Sequence, residues 1–401
     1  MHPIPLLQNK KILLGVTGSI AAYKTADLAS KLTQAGAEVD VILTEAATKF
    51  VTPLTFQSVT GRAAHTDLWG SEAHMIHVSL GERADLLVIA PATADVIAKL
   101  AHGLANDLLT VTALAARCPV LVAPAMDGGM FEHPATQANL KTLGEREVTL
   151  LGPAAGRMAS GLAGHGRMIE PDEILGRVRL ALGRAGPLAG RRIVVTAGGT
   201  QEPIDPVRFI SNRSSGKQGF ALAQAALDRG AKVTLITGPN TLPTPIGAER
   251  VDVNTAAEMA EAVLNAEADA LIMAAAVADF RPAQSANHKL KKTEVPQITL
   301  ERTVDILSAV AERRERTHKP RVVVGFAAES QNLVENAREK VFRKKLSLIV
   351  ANDIAAQDAG FGVDTNRVTL IGETGGVESL PLMSKTQVAE AVMERIVTLL
   401  G

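Results

Sequence analysis

The sequence predicts an α/β protein built of two tandem doubly wound, Rossmann-like domains, and three observations carry that expectation. Continuous apolar, β-branched runs alternate with stretches of helical periodicity, the pattern of parallel strands buried on both faces. Two of these runs, one in each half of the 401-residue chain, open into glycine-bearing loops that lead to helices. A Gly/Pro-rich stretch without periodicity, Gly183–Gly190, separates the halves. At roughly 150 residues per domain the length suits two or three domains, each able to bury its own core. The expected domains are 1–185 and 190–401.

In the first half Ile12–Val16 reads as a strand, and Ile20–Ala35 carries apolar residues at helical spacing. Gly36 stands where a C′ glycine ends a helix. Glu38–Leu43, Asp85–Ala90, Val120–Ala123 and Val148–Leu151 read as further strands with helical patterns between them. The second half opens with Ile193–Thr196 and the loop Ala197-Gly198-Gly199-Thr200. Its other strands are expected at Lys232–Thr237, Ala270–Ala274, Val322–Phe326, Leu346–Val350 and Val368–Ile371, with a helix at Gly219–Arg229.

Composition removes several function classes. The 42 basic and 42 acidic residues give a formal net charge of zero, whereas a nucleic-acid binder needs a basic excess to displace counterions. Aromatics at 3% leave little for base stacking. The single cysteine, Cys118, excludes a disulfide framework and a Cys-based zinc site, and points to a reducing compartment. No apolar run approaches the ~20 residues that cross a bilayer, and the first residues lack a signal-peptide core. A cytoplasmic protein with neither membrane nor nucleic-acid partner is expected.

Gly15-Val16-Thr17-Gly18-Ser19-Ile20 stands where a strand passes into a helix, and there free amides and the helix dipole favour an anion. Ser19 either caps the helix or donates its hydroxyl to a phosphate. The spacing is not G-x-G-x-x-G and no acidic residue takes the ribose position, so FMN fits better than NAD. Taken alone, the loop is equally a tight turn. Pro91-Ala92-Thr93-Ala94-Asp95 and Pro124-Ala125-Met126-Asp127 leave strands at their carboxyl ends, where open α/β sheets bind ligands. With Ala105-Asn106-Asp107-Leu108 they read as a pocket floor or as helix caps. His77 suits a general base. His74 lies three residues before it, but no third metal ligand has suitable spacing.

In the second half Ser211–Gly219 is not a P-loop, because its first glycine is absent and Gln218 replaces the Mg²⁺-binding Ser/Thr. It remains either an anion site with Arg213 and Lys217 or a solvated loop. Asp279 ends Ala274–Phe280, and a lone strand-end carboxylate suits Mg²⁺. Lys289-Leu290-Lys291-Lys292 is a solvated basic face or, beside such a metal, a clamp on a triphosphate. Lys340 and Lys344, four apart on a helix, add to that field. Phe326 ends a strand where a base can stack.

Gly18-Ser19-Ile20-Ala21-Ala22, His77 within Ile76-His77-Val78, Pro91–Asp95 and Pro124-Ala125-Met126 resemble the homo-oligomeric flavin-containing cysteine decarboxylases. Asp205-Pro206-Val207-Arg208, Ser211–Lys217, Ala275–Phe280, Lys289–Lys292, Gly325–Glu329 and Ala351-Asn352-Asp353 narrow the resemblance. They are similar to the bifunctional phosphopantothenoylcysteine decarboxylase/phosphopantothenate–cysteine ligases of bacterial coenzyme A synthesis, over nearly the whole chain. The resemblance implies a flavodoxin-like front half that holds FMN through Gly18, Ser19, Thr44, Pro91, Thr93, Asn106 and Met126, with His77 as its active-site histidine. For the second half it implies that CTP and Mg²⁺ activate 4′-phosphopantothenate as an acyl-cytidylate, which L-cysteine then attacks. It puts Asn212 on the acyl-cytidylate, Lys289 on the phosphates and Asp279 on the metal. Met273, Ala274, Ala275, Asp305, Ile306, Phe326, Lys340 and Lys344 complete the implied CTP site. A homo-oligomer is implied too, a dodecamer of trimers and dimers.

The chain departs from that pattern at particular positions. Asp127 stands where the family has Asn, and Ser160, in Ala159-Ser160-Gly161, stands where its lid carries the proton-donating Cys. Cys118 matches neither position. Decarboxylation is expected with a rearranged acid, His165 or a water; the alternative is a ligase whose front half only binds flavin or serves assembly. Thr303-Val304-Asp305-Ile306 replaces the more usual Asn-Pro-Asp-Ile. Fold alone would suggest an NAD(P) oxidoreductase, against which the missing G-x-G-x-x-G weighs.

Overall fold

Both faces of the first sheet are buried, which is why its strands read as unbroken apolar runs. The structure is a computed structural model that describes residues 3–69, 75–157, 161, 163–290, 297–329, 332–353 and 363–401. Its contacts divide the chain into two units, 1–182 and 183–401.

Unit 1 runs β1 (Lys11–Val16), α1 (Ala22–Gln34), β2 (Glu38–Leu43), α2 (Pro53–Thr60), β3 (Ala64–His65), α3 (Ile76–Arg83) and β4 (Leu86–Ala92). It continues through α4 (Ala94–His102), α5 (Leu108–Ala115), β5 (Val120–Pro124), α6 (Gly128–Glu132), α7 (Pro134–Glu145) and β6 (Thr149–Leu150). The hairpin β7 (Ala154–Arg157)/β8 (Ala163–Arg167) and helix α8 (Pro171–Gly183) follow. The sheet order is β3-β2-β1-β4-β5-β6, parallel throughout. Set aside the two-residue β3 and this is the 2-1-3-4-5 order of flavodoxin-like folds. Leu14, Val16, Leu28, Leu32 and Val88 pack on one face; Leu13, Leu87, Ile89, Ile97 and Leu109 pack on the other. Each such side chain contributes roughly 1.5–3 kcal/mol by leaving water.

Unit 2 begins with β9 (Arg192–Ala197), the hairpin β10 (Gln201–Pro203)/β11 (Phe209–Ser211), α9 (Lys217–Leu227), β12 (Lys232–Thr237), β13 (Glu249–Asp252) and α10 (Ala256–Asn265). Then come β14 (Ala270–Met273), β15 (Phe280–Pro282), β16 (Leu300–Arg302), α11 (Ile306–Thr317), β17 (Val322–Glu329), α12 (Leu333–Arg343) and β18 (Leu348–Asp353). It closes with β19 (Thr365–Asn366), β20 (Val368–Gly372), β21 (Val377–Ser379), β22 (Met383–Ser384) and α13 (Lys385–Leu400). The main sheet runs β13-β12-β9-β14-β17-β18-β20-β21. Its first six strands are parallel, and β20 and β21 join antiparallel. A Ser384/Gln387 capping box starts α13, which packs on α9.

Some boundaries differ from the sequence reading, for local reasons. Helix α1 starts at Ala22 rather than Ile20 because a turn intervenes, in which the Ser19 amide donates to Thr17 O and the Ala22 amide to Ser19 O, both at 2.9 Å. Helix α9 starts at Lys217 because Gly216, at φ +76°, turns the chain there. The strand expected at Leu346 begins at Leu348, since the Leu346 amide still closes α12 by donating to Val341 O at 3.0 Å. No helix among the described residues is long and apolar enough to cross a membrane.

Candidate active sites

Parallel pairing brings the carboxyl ends of β2, β1, β4 and β5 to one edge of the first sheet, with the switch of strand order between β1 and β4. Gly18 and Ser19 follow β1, Thr44 follows β2, Pro91 and Thr93 lie at and after the end of β4, and Met126 and Asp127 follow β5. Thr17, fully buried, ties the two central ends together. Its hydroxyl donates to Pro91 O at 2.7 Å and accepts the Thr93 amide at 3.1 Å. Thr93 also caps α4 by accepting the Val96 amide. Thr44 is held by the Val16 carbonyl and accepts the Ala47 amide. A Cβ on Gly18 would lie 2.5 Å from Ala46 Cβ, so only glycine lets the loops after β1 and β2 meet.

The structure brings Gly18, Ser19, Thr44, Pro91, Thr93 and Met126 to this edge, and Asn106 directly precedes α5, whose Leu109 lies against Gly15 near the end of β1. Asn106 is exposed between α4 and α5, next to the Asp107 cap of α5. Ser19 accepts the Ala21 amide at 3.3 Å, and α1 itself has no side-chain cap. His77 lies in the first turn of α3, and its buried Nδ1 has no hydrogen-bond partner among the described residues. An unsatisfied buried nitrogen costs about 1–3 kcal/mol, so this ring is suited to a ligand that supplies the missing partner. Asp127 accepts the Gly129 amide at 3.1 Å at the start of α6. The base of the β7/β8 hairpin lies against the same loop. A Cβ on Gly166 would meet Met126 O at 2.3 Å, and the Met126 amide donates to Gly166 O at 2.9 Å. Ser160, Ala159 and His74 lie outside the described residues; His165 is exposed.

In unit 2 the order switches between β9 and β14, and the loop after β14 is stitched to its surroundings. The Ala275 amide donates to Thr196 Oγ1 at 3.1 Å and the Ala278 amide to Thr200 Oγ1 at 3.0 Å. Asn212 Nδ2 donates to Val277 O at 3.1 Å. Thr303 donates its hydroxyl to Ala278 O at 2.6 Å and its amide to Asp279 O at 3.0 Å. Asn212, Ala274, Ala275, Asp279 and Thr303 thus share one strand end, with Met273 buried beneath and the Asp279 carboxylate exposed. Phe326 is half-buried in β17 beside it. Asn352, in β18 next to β17, carries a buried Oδ1 with no partner among the described residues.

Four expected ligands need correction or qualification. Lys344 does not share a helix face with Lys340 but caps the end of α12, where its ammonium contacts Asp305 and donates to Ser308 Oγ at 2.7 Å. Asp305 caps α11 by accepting the Ser308 amide; burial alone would raise its pKa, but Lys344 and that amide bring it below the ordinary value. Ile306 is 4% exposed and packs in the core, leaving only its backbone for a ligand. Lys217, expected on an anion, pairs with Asp364 at 2.6 Å. Lys289 is exposed and Lys340 half-buried, while Lys291 and Lys292 lie outside the described residues. Among the described residues no three His, Cys, Asp or Glu gather as metal ligands. Thr17, Thr196, Thr200 and Asn352 stand in the segments singled out above, but the roles of the threonines were not readable there, because each bonds a segment remote in the chain, nor was the burial of the Asn352 oxygen.

The Flavoprotein family model matches residues 5–182, and the model for the DNA/pantothenate metabolism flavoprotein C-terminal domain matches 188–400. The coenzyme A biosynthesis bifunctional protein CoaBC of Bacillus subtilis (strain 168) is 46% identical over 402 residues, covering 98% of each chain. That of Escherichia coli (strain K12) is 46% identical over 401 residues with the same coverage. A crystal structure of the C-terminal domain of a CoaBC protein covers 54% of this chain and 98% of its own at 40% identity, with a TM-score of 0.45. Two family models end to end, and full-length relatives at this identity, establish that the chain belongs to the family of coenzyme A biosynthesis bifunctional proteins, CoaBC.

Proposed function

We propose that the chain makes 4′-phosphopantetheine from 4′-phosphopantothenate, L-cysteine and CTP, one unit taking each chemical stage. In unit 2 the substrate carboxylate attacks the α-phosphate of CTP and pyrophosphate leaves. The cysteine amine then attacks the acyl carbon, forming the amide and releasing CMP and a proton. The exposed Asp279 offers the carboxylate for Mg²⁺ travelling with the triphosphate. Asn212 steadies the acyl-cytidylate from the same loop, and Lys289 neutralises phosphate charge as CMP departs. Met273, Ala274, Ala275, Phe326 and Lys340 surround the nucleotide. Lys344 acts on it through Asp305.

In unit 1 the crevice of Gly18, Ser19, Thr44, Pro91, Thr93 and Met126 holds FMN. The cofactor supplies a reversible two-electron oxidation at the substrate thiol, which lets CO₂ leave with no net redox change. His77 manages the proton at that thiol. Asp127, engaged by the Gly129 amide, is drawn away from the substrate carboxylate it would repel. Exposed Tyr23, Leu54 and Trp69 on this unit support a homo-oligomer, with the dodecamer as its full form, in the cytoplasm.

One observation carries the reading: strand-end crevices occur twice in the chain, and their side chains differ as the two chemistries require. Identity of 46% across both units speaks against a front half kept for assembly alone. The test is to supply 4′-phosphopantothenate, cysteine, CTP and Mg²⁺, and to follow pyrophosphate and CO₂ while recording the flavin bands of the purified protein. Both products and a bound flavin are expected. Pyrophosphate without CO₂ would leave a ligase only, and absence of both would end the reading.

A further inference from the structure

We propose that Asp205 is a positioning residue of the ligase crevice, fixing the backbone that carries Lys289; the inference rests on the role given to Lys289 above. Asp205 lies in the turn between β10 and β11, and its side chain is fully buried. Its two carboxylate oxygens do different work. Oδ1 accepts the Val207 and Arg208 amides at 2.9 and 2.8 Å and so builds its own turn. Oδ2 points the other way, accepting Arg208 Nε at 3.0 Å and the Leu290 amide at 3.2 Å.

Arg208 completes the latch, its Nη2 donating to Leu290 O at 3.3 Å. A third tie runs from the Ala286 amide to Ile204 O at 2.9 Å. The Arg208 guanidinium holds the Asp205 carboxyl far below the usual carboxylate range, in spite of burial, so the latch stays charged at any pH where the enzyme would work. Asp205 needs no partner 85 residues away to form its own turn. The bond to Leu290 makes sense for the residue before it, Lys289, whose side chain is exposed and rich in rotamers. An ammonium on that stem reaches a defined place only if its Cα is held. Small misplacements of a charge-stabilising group are known to cost on the order of 10²-fold in rate.

Asn at this position separates the two roles. Its Oδ1 keeps the turn, whereas its Nδ2 faces the Leu290 amide and the Arg208 guanidinium, donor against donor. In the full-length enzyme, Asp205→Asn is expected to slow cysteine-dependent CMP release about 10- to 100-fold, with much less change in pyrophosphate release without cysteine. Hydrogen exchange at the Leu290 amide should accelerate in parallel. In a Lys289→Gln background the same substitution should add nothing further. Independent, multiplicative losses in that cycle, or an Asp205→Asn enzyme with a normal cysteine step, would overturn the inference. Should Asp205→Asn fail to fold, Leu290→Pro removes the same donor from the other side and should reproduce the slow step; a normal cysteine step in that variant overturns it equally. If Lys289→Gln alone leaves the cysteine step intact, the earlier reading of Lys289 fails, and the inference with it, before Asp205 is touched.

Discussion

The two units begin alike and finish their crevices differently. Each sends its first strand into a glycine-bearing loop, which leads directly to α1 in unit 1 and by way of the β10/β11 hairpin to α9 in unit 2, neither helix having a side-chain cap. Each also switches strand order beside that strand. In unit 1 the edge is lined by threonines and small residues, with the ionisable His77 at the start of α3 and Asp127 at the start of α6. In unit 2 it carries the exposed Asp279 carboxylate, with the ammonium of Lys289 assigned to it by the proposal above, while other charges are tied into pairs, Asp305 with Lys344 and Asp205 with Arg208. The contrast teaches what each unit must bring. Where a cofactor carries the hard chemistry the protein supplies shape and one proton carrier; where a triphosphate reacts, the protein must supply charge and hold it still.

The sharpest way to break the comparison is to remove that one proton carrier. His77→Asn should lower CO₂ release by about 10³-fold, within the usual span of general acid–base catalysis, and leave pyrophosphate release intact; a parallel fall in both products would mean the crevices do not work separately. The mirror experiment is Lys289→Gln, expected to slow amide formation about 10²-fold. CO₂ release from supplied 4′-phosphopantothenoylcysteine should continue in that variant, and its loss would contradict the division of labour. Next in size is Gly18→Ala, whose Cβ lands against Ala46 and costs about 1–3 kcal/mol by overpacking. Flavin absorbance should fall in the purified variant while ligase turnover holds; full flavin would show that the loops spread without harm. The smallest effect is expected from Thr303→Val, which strands Ala278 O and should cost roughly 1 kcal/mol, about a fivefold rise in KM for CTP. Thr303→Ser should restore it; unchanged KM in the valine variant would place nucleotide binding away from this loop.

Much of the fold was legible because burial on both faces writes itself directly into sequence. Lys232–Thr237 and Glu38–Leu43 match their strands residue for residue. The boundary at Leu348 was not, since it depends on how α12 ends. At the sites, strand-end position was readable for Gly18, Thr93, Met126 and Asp279, as each directly follows an apolar run. The partnerships were not. Nothing local announces that Lys344 meets Asp305 or that Thr303 reaches Ala278, because such bonds join segments tens of residues apart and depend on sheet order.

The sheet margins have a consequence for handling the protein. The first sheet ends on both sides in strands of two residues, β3 and β6, and the second ends at the short β13 and β21. Glu378 of β21 is further occupied by Arg395. At these margins of the two main sheets, among the described residues, a stray strand from another molecule would find two to four residues to pair with, too few for a lasting ladder. Concentrated chains are thereby guarded against edge-to-edge aggregation through these margins.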